Sequence, residues 1–116
     1  MTLTQILADV SDLPDWAGCS VVGVESRNGY GDMPLHVAAV RGDVEMISVL
    51  LAAGAEIDAR GEHGFTPLLD ALAQGKAEAA RLLIQHGAST TSRNDWGFAA
   101  LEVARNSGYP DVLALK

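Results

Sequence analysis

"GDMPLHVAAVRGD", residues 31–43, and "GFTPLLDALAQGK", residues 64–76, are one pattern written twice. Each opens on a glycine, sets a proline where a helix would begin, and closes on a second glycine. Proline suits the first helical position because the N–H it lacks would find no partner there, and glycine suits the stop because it accepts left-handed backbone. Each stretch therefore predicts a first helix of about two turns. The sequences that follow, "DVEMISVLLAAGAEI" (43–57) and "KAEAARLLIQHGAST" (76–90), carry apolar residues at helical spacing and end on Gly54 and Gly87. They predict a second helix running back along the first. Residues 57–64 are polar and turn-rich with no helical period, the expected form of a hairpin leading to the next unit.

The spacing between the two copies is 33 residues and continues into a third. Gly31, Gly64 and Gly97 share it, as do Leu35, Leu68 and Leu101, Ala38, Ala71 and Ala104, and Gly42, Gly75 and Gly108. Laying residues 28–60 over 61–93 gives 10 identities without a gap, where composition alone would give about three. A fixed period in the range of 20–50 residues marks an array of stacked units. Small residues at Ala38, Ala39, Ala71 and Ala104 would let neighbouring helices approach closely.

The pattern G-x-T-P-L-H-x-A-x-x-x-G, followed by a helix ending L-L-x-x-G-A, resembles the ankyrin repeat, over about residues 24–116. The resemblance implies an all-α fold: a solenoid of stacked helix-turn-helix units joined by β-hairpin-like loops. A single domain over 1–116 is expected, with an N-terminal cap and lead-in hairpin at 1–27, repeats at 28–60 and 61–93, and a C-terminal capping repeat at 94–116. Two departures carry structural expectations. Met33 stands where the family has a threonine, so the first helix of repeat one lacks its hydroxyl cap. Repeat two keeps Thr66 but has Leu69 where repeat one supplies His36. Repeat two should be the better capped, and repeat one the better hydrogen-bonded between hairpins.

Stacked units expose an apolar face at either end, so terminal units must change character. Glu102, Arg105 and Lys116 replace stacking residues of the earlier units, which predicts a polar cap. Its last helix should open at Pro110 and turn Val112, Leu113 and Leu115 inward. At the other end, Thr2 and Gln5 form a capping-box start for a helix bearing Leu3, Ile6, Leu7 and Val10, expected to lie over repeat one.

A formal charge of −7 argues against sequence-independent binding of nucleic acid or anionic membrane, which needs a positive field, and makes a basic protein partner the natural one. Cys19 stands alone, which excludes an internal disulfide and fits a reducing compartment. The N-terminus lacks the basic start and long apolar core of a signal peptide, so a cytoplasmic location is expected. His36, His63 and His86 have no metal-ligand spacing, and the "GYGD" glycines follow no strand. No metal, cofactor or enzymatic activity is expected, and no titratable cluster in a deep pocket.

In ankyrin-like arrays the residues outside the framework, at the hairpin tips and on the first helices, meet the partner. Carried over by position, these are Arg27, Tyr30, Asp32 and Arg41, then Arg60, Glu62, His63, Phe65, Asp70 and Gln74, then Arg93, Asp95, Trp96 and Phe98. Tyr30, His63 and Trp96 share one register, Phe65 and Phe98 another, and Arg27, Arg60 and Arg93 a third. Aromatic residues and arginine dominate binding hot spots because they bury large area while keeping a polar handle. The same registers also fit aromatics packed tip against tip and arginines neutralising Asp32, Glu62 and Asp95. Asp70 stands where its register has Val37 and Val103, either paired with Arg41 or open to solvent, or offered as a charge to a partner. The resulting expectation is a monomeric, non-enzymatic protein-binding module that binds and inhibits a partner. The alternatives are a self-associating scaffold using Leu113 and Leu115, or an immunity-type inhibitor if the source is bacterial.

Overall fold

A computed structural model describes residues 1–108, so the expectations for Pro110 to Lys116 lie outside the described residues. Thr2 opens α1 (Leu3–Ser11) with both halves of the capping box: its hydroxyl accepts the Gln5 N–H at 3.2 Å, and Gln5 Oε1 accepts the Thr2 N–H at 2.8 Å. A short 3₁₀ turn, Pro14–Trp16, follows and buries the Trp16 indole. Repeat one supplies α2 (Pro34–Arg41) and α3 (Val44–Ala52), and repeat two supplies α4 (Pro67–Ala73) and α5 (Ala77–Gln85). The third unit gives α6 (Ala100–Asn106). Among the described residues there is no strand.

The capping differences follow the sequence. Thr66 accepts the Leu69 N–H at 3.2 Å, whereas Met33 has no oxygen to offer and α2 begins without a side-chain cap. His36 Nδ1 instead accepts the Met33 N–H at 2.9 Å. Asp43 caps α3 through the Met46 N–H at 3.0 Å. In the third unit, Glu102 reaches back to accept the Ala99 N–H at 2.9 Å, so the residue that replaces His36 does a related task.

The first helices form one layer, α2 on α4 and α4 on α6, and the second helices form another, α3 on α5. The N-terminal helix α1 lies against α2 and α3, as expected, and brings Ile6 and Val10 into the core, where Trp16 joins them from the following turn. The interior is not a simple repetition. In repeat one the large side chains sit on the second helix, Met46 and Ile47, against Ala79 and Ala80 in repeat two. On the first helices the bulk is reversed, with Leu69 and Leu72 in repeat two against His36 and Ala39 in repeat one. Interiors tolerate neither voids nor overlap, so bulk lost on one element must return on another. Leu101 is 39% exposed where Leu35 and Leu68 are buried.

Candidate protein-interaction surface

Three hairpin tips stand in a row at one edge of the stack, each closed by the same pair of backbone bonds. In the first, the Asn28 N–H donates to Asp32 O at 2.9 Å and the Gly31 N–H to Asn28 O at 3.1 Å; the same pattern joins Gly61 with Phe65 and Asn94 with Phe98. Asn28 and Asn94, both buried, hold their tips open from inside. Asn28 Oδ1 accepts the Tyr30 and Asp32 N–H groups at 2.9 Å each, and Asn94 Oδ1 accepts those of Trp96 and Phe98 at 3.0 Å. Neither asparagine was singled out by the sequence reading, although their spacing of two periods was the available signal.

The middle tip has Gly61 in that place, and the reason is steric. A Cβ there would run into the Asp32 carboxylate and come within 2.9 Å of His36 Nε2. The Asp32 carboxylate reaches in from the neighbouring tip instead and accepts a different N–H, that of Glu62, at 2.9 Å. Asp32 is thus half-buried and structural on at least one oxygen. His36 is buried and binds across units: its Nε2–H points at the carbonyl oxygens of Ala59, 2.9 Å, and Phe65, 3.1 Å. Burial, the largest influence, holds its imidazole below the ordinary histidine range, against the pull of Asp32.

The arginine register is taken up largely by the stack. Arg27 donates to the carbonyls of Gly31 and, at 2.8 Å, Arg60. Arg60 pairs with Asp95 at 3.1 Å and Arg93 with Glu102 at 3.2 Å, all four side chains substantially exposed. The Ala99 N–H, with Arg93 beside it, holds the Glu102 carboxyl below its usual range.

The aromatic register is divided. Trp96 packs on the His63 ring at a centroid distance of 5.0 Å and meets Phe65 edge-on at 5.7 Å. It nevertheless leaves 59% of its surface in water, with Phe98 at 40% and Tyr30 at 57%. His63 adopts left-handed backbone (φ 57°), which turns its carbonyl to accept the Asp95 N–H at 2.9 Å and locks tip two to tip three. Beside these rings runs a groove of about 210 Å3 lined by Phe65, Ala73, Trp96, Phe98 and Val103. Asn94 also lines it, and its side-chain N–H2 is buried without a partner among the described residues.

Of the alternatives open for Asp70, one is not formed. Asp70 forms no ion pair with Arg41, and its carboxylate has no hydrogen-bond partner among the described residues. Asp32, His36 and Asp70 bring ligand-type atoms within 4.8 Å of one another. The stacking of α4 on α2 carries a residue 34 to 38 positions away into contact with the preceding tip, a neighbourhood that spacing along the chain hides. Burial foremost, then Asp32 and Glu62, push the Asp70 carboxyl up to about 8. The cluster makes a poor metal site, since both His36 nitrogens are already engaged by the backbone. Arg41 is exposed at the end of α2, and Gln74 is exposed just past the end of α4.

A family model described as ankyrin repeats (3 copies) matches residues 12–95. The chain belongs to the ankyrin repeat family. Ankyrin repeats are generally protein–protein interaction modules and are typically non-enzymatic. No helix among the described residues is long and apolar enough to cross a membrane. The ankyrin framework accounts for the glycines, alanines, leucines and His36; the exposed rings at the tips and the charge at Asp70 lie outside it.

Proposed function

We propose that this ankyrin array binds a basic protein partner through its hairpin tips and concave first helices, and that it acts by covering the partner's own functional surface. The observation that carries the reading is the state of Trp96: held by His63 and Phe65 on one side, and 59% exposed on the other. A large ring fixed before binding loses little freedom on contact, and this is how aromatic hot spots gain affinity. Phe98 and the groove beside it extend the apolar contact, and the net charge of −7 favours a basic partner. Inhibition is the mode proposed because a functional surface seated against the tips and the concave helices would be occluded. The protein acts as a monomer in the cytoplasm in this reading.

Affinity purification from the source cell identifies the partner by mass spectrometry, and light scattering measures the free protein's mass. Trp96→Ala, Phe98→Ala and Arg60→Ala combined should abolish capture of that partner while leaving the helical circular dichroism unchanged. Retained capture by the folded variant would move the interface away from the tips.

A further inference from the structure

A second groove, of about 310 Å3, lies at the other end of the concave face, between the Leu13–Trp16 turn and α2. One wall is apolar, built by Leu13, Pro14 and Trp16 from the N-terminal segment. Val37 and Val40 of α2 continue it, and Val40 is 42% exposed. The polar part is acidic: Asp15 and Asp32 both line the groove, and Asp70 brings its carboxyl within 4.8 Å of the Asp32 and His36 ligand atoms. Burial foremost, then the nearby Asp32 and Glu62, raises the Asp70 carboxyl to about 8, so it is largely protonated at neutral pH and the negative charge lining the groove is that of Asp15 and Asp32. The one basic side chain lining the groove, Arg41, is exposed and forms no ion pair among the described residues.

An apolar channel beside the carboxylates of Asp15 and Asp32 is complementary to a long aliphatic stem with a cationic head. We infer that this groove is a socket for a long basic side chain, an arginine or lysine, of the partner protein, with Leu13, Pro14, Val37 and Val40 along the stem and Asp15 and Asp32 at the head. The inference rests on the protein-binding reading above and names the chemistry that one end of the partner presents. It also gives the N-terminal segment a part in recognition, since half of the socket is made by residues outside the 33-residue period.

The test uses the full ¹⁵N-labelled chain, titrated with acetyl-Gly-Arg-Gly-amide and with the same peptide carrying citrulline, which keeps the shape and removes the charge. The arginine peptide should give saturable shifts centred on the amides of Asp15, Val37, Val40 and Arg41, with a dissociation constant in the millimolar range expected of a single side chain. The citrulline peptide should bind at least about fivefold more weakly. Asp15→Asn, at an exposed position, should weaken the arginine peptide roughly threefold or more without moving Tm, and Asp32→Asn, which keeps an oxygen for the Glu62 N–H, should weaken it as well in a chain that still folds. Arg41→Gln should strengthen it. Equal binding of the two peptides, shifts centred on Trp96 and Phe98 instead, or no saturable shift would overturn the socket. If the peptide fails here while the triple tip variant still loses its partner, the socket falls and the interaction reading stands. If the peptide seats here while the triple variant keeps its partner, the tips fall and the socket stands.

Discussion

His36 Nε2 lies 2.9 Å from the carbonyl oxygen of Ala59 and 3.1 Å from that of Phe65, so one imidazole in repeat one ties down both arms of the next unit's hairpin. Its other nitrogen accepts the Met33 N–H, closing the start of its own helix. Replacing His36 by leucine, the residue repeat two carries at Leu69, would leave the buried carbonyl of Ala59 and that of Phe65 without this donor. A loss of about 2–4 kcal/mol in unfolding free energy is expected, measured by urea denaturation at pH 7.5. A loss below about 1 kcal/mol would mean that the hairpin does not depend on the ring.

Asp70 supplies a pH dependence with a definite sign. Its carboxyl is raised from the model-peptide value of 3.8 to about 8, so between those values the folded chain holds a proton that the unfolded chain has released. This group's contribution to stability is complete below about pH 4 and is lost progressively as pH rises toward 8. Asp70→Asn should therefore match the parent near pH 4 and exceed it at pH 8. Water entry and movement of Asp32 relieve part of the penalty, and a gain on the order of 1–2 kcal/mol is expected. Parallel Tm–pH curves for the two proteins would contradict the assignment.

Gly61→Ala tests the close approach between tips. The added methyl would meet the Asp32 carboxylate and His36 together, and neither can retreat without giving up a bond to the second hairpin. A destabilisation of about 1–3 kcal/mol is expected. The companion Gly61→Ala with Asp32→Ala should recover part of it, a coupling that a double-mutant cycle would read directly.

The third unit offers a change in the favourable direction. Ala99 occupies the N-cap of α6 with no side-chain oxygen, while Glu102 already provides the reciprocal half of the cap. Ala99→Ser should supply the missing acceptor and stabilise the protein by about 0.5–1 kcal/mol, seen as a rise of several degrees in Tm. No rise would indicate that the buried hydroxyl finds no partner.

The period of 33 made the array legible, because the glycine, proline and leucine positions report local needs of the chain that recur in every unit. The contrast between Thr66 and Met33 as caps, and the cross-unit role of His36, were implied by the ankyrin resemblance. The candidate site was legible only in part. Trp96 and Phe98 could be assigned to a tip, but how far each ring is covered depends on His63 and Phe65 one unit back. The Asp70 cluster and the groove under Leu13 were out of reach. They are made by side chains from different units, or from the segment that lies outside the period, and no spacing along the chain encodes their contact.

The exchange of bulk between Met46 and Ile47 on one side and Leu69 and Leu72 on the other has a consequence for how this protein can change. Two copies of repeat one set side by side would crowd the outer layer and starve the inner one, and two copies of repeat two would do the reverse. The units are therefore keyed to each other like the two halves of a mould. The array cannot lengthen by duplicating either unit alone, and an inserted neighbour would have to arrive with its own altered interior.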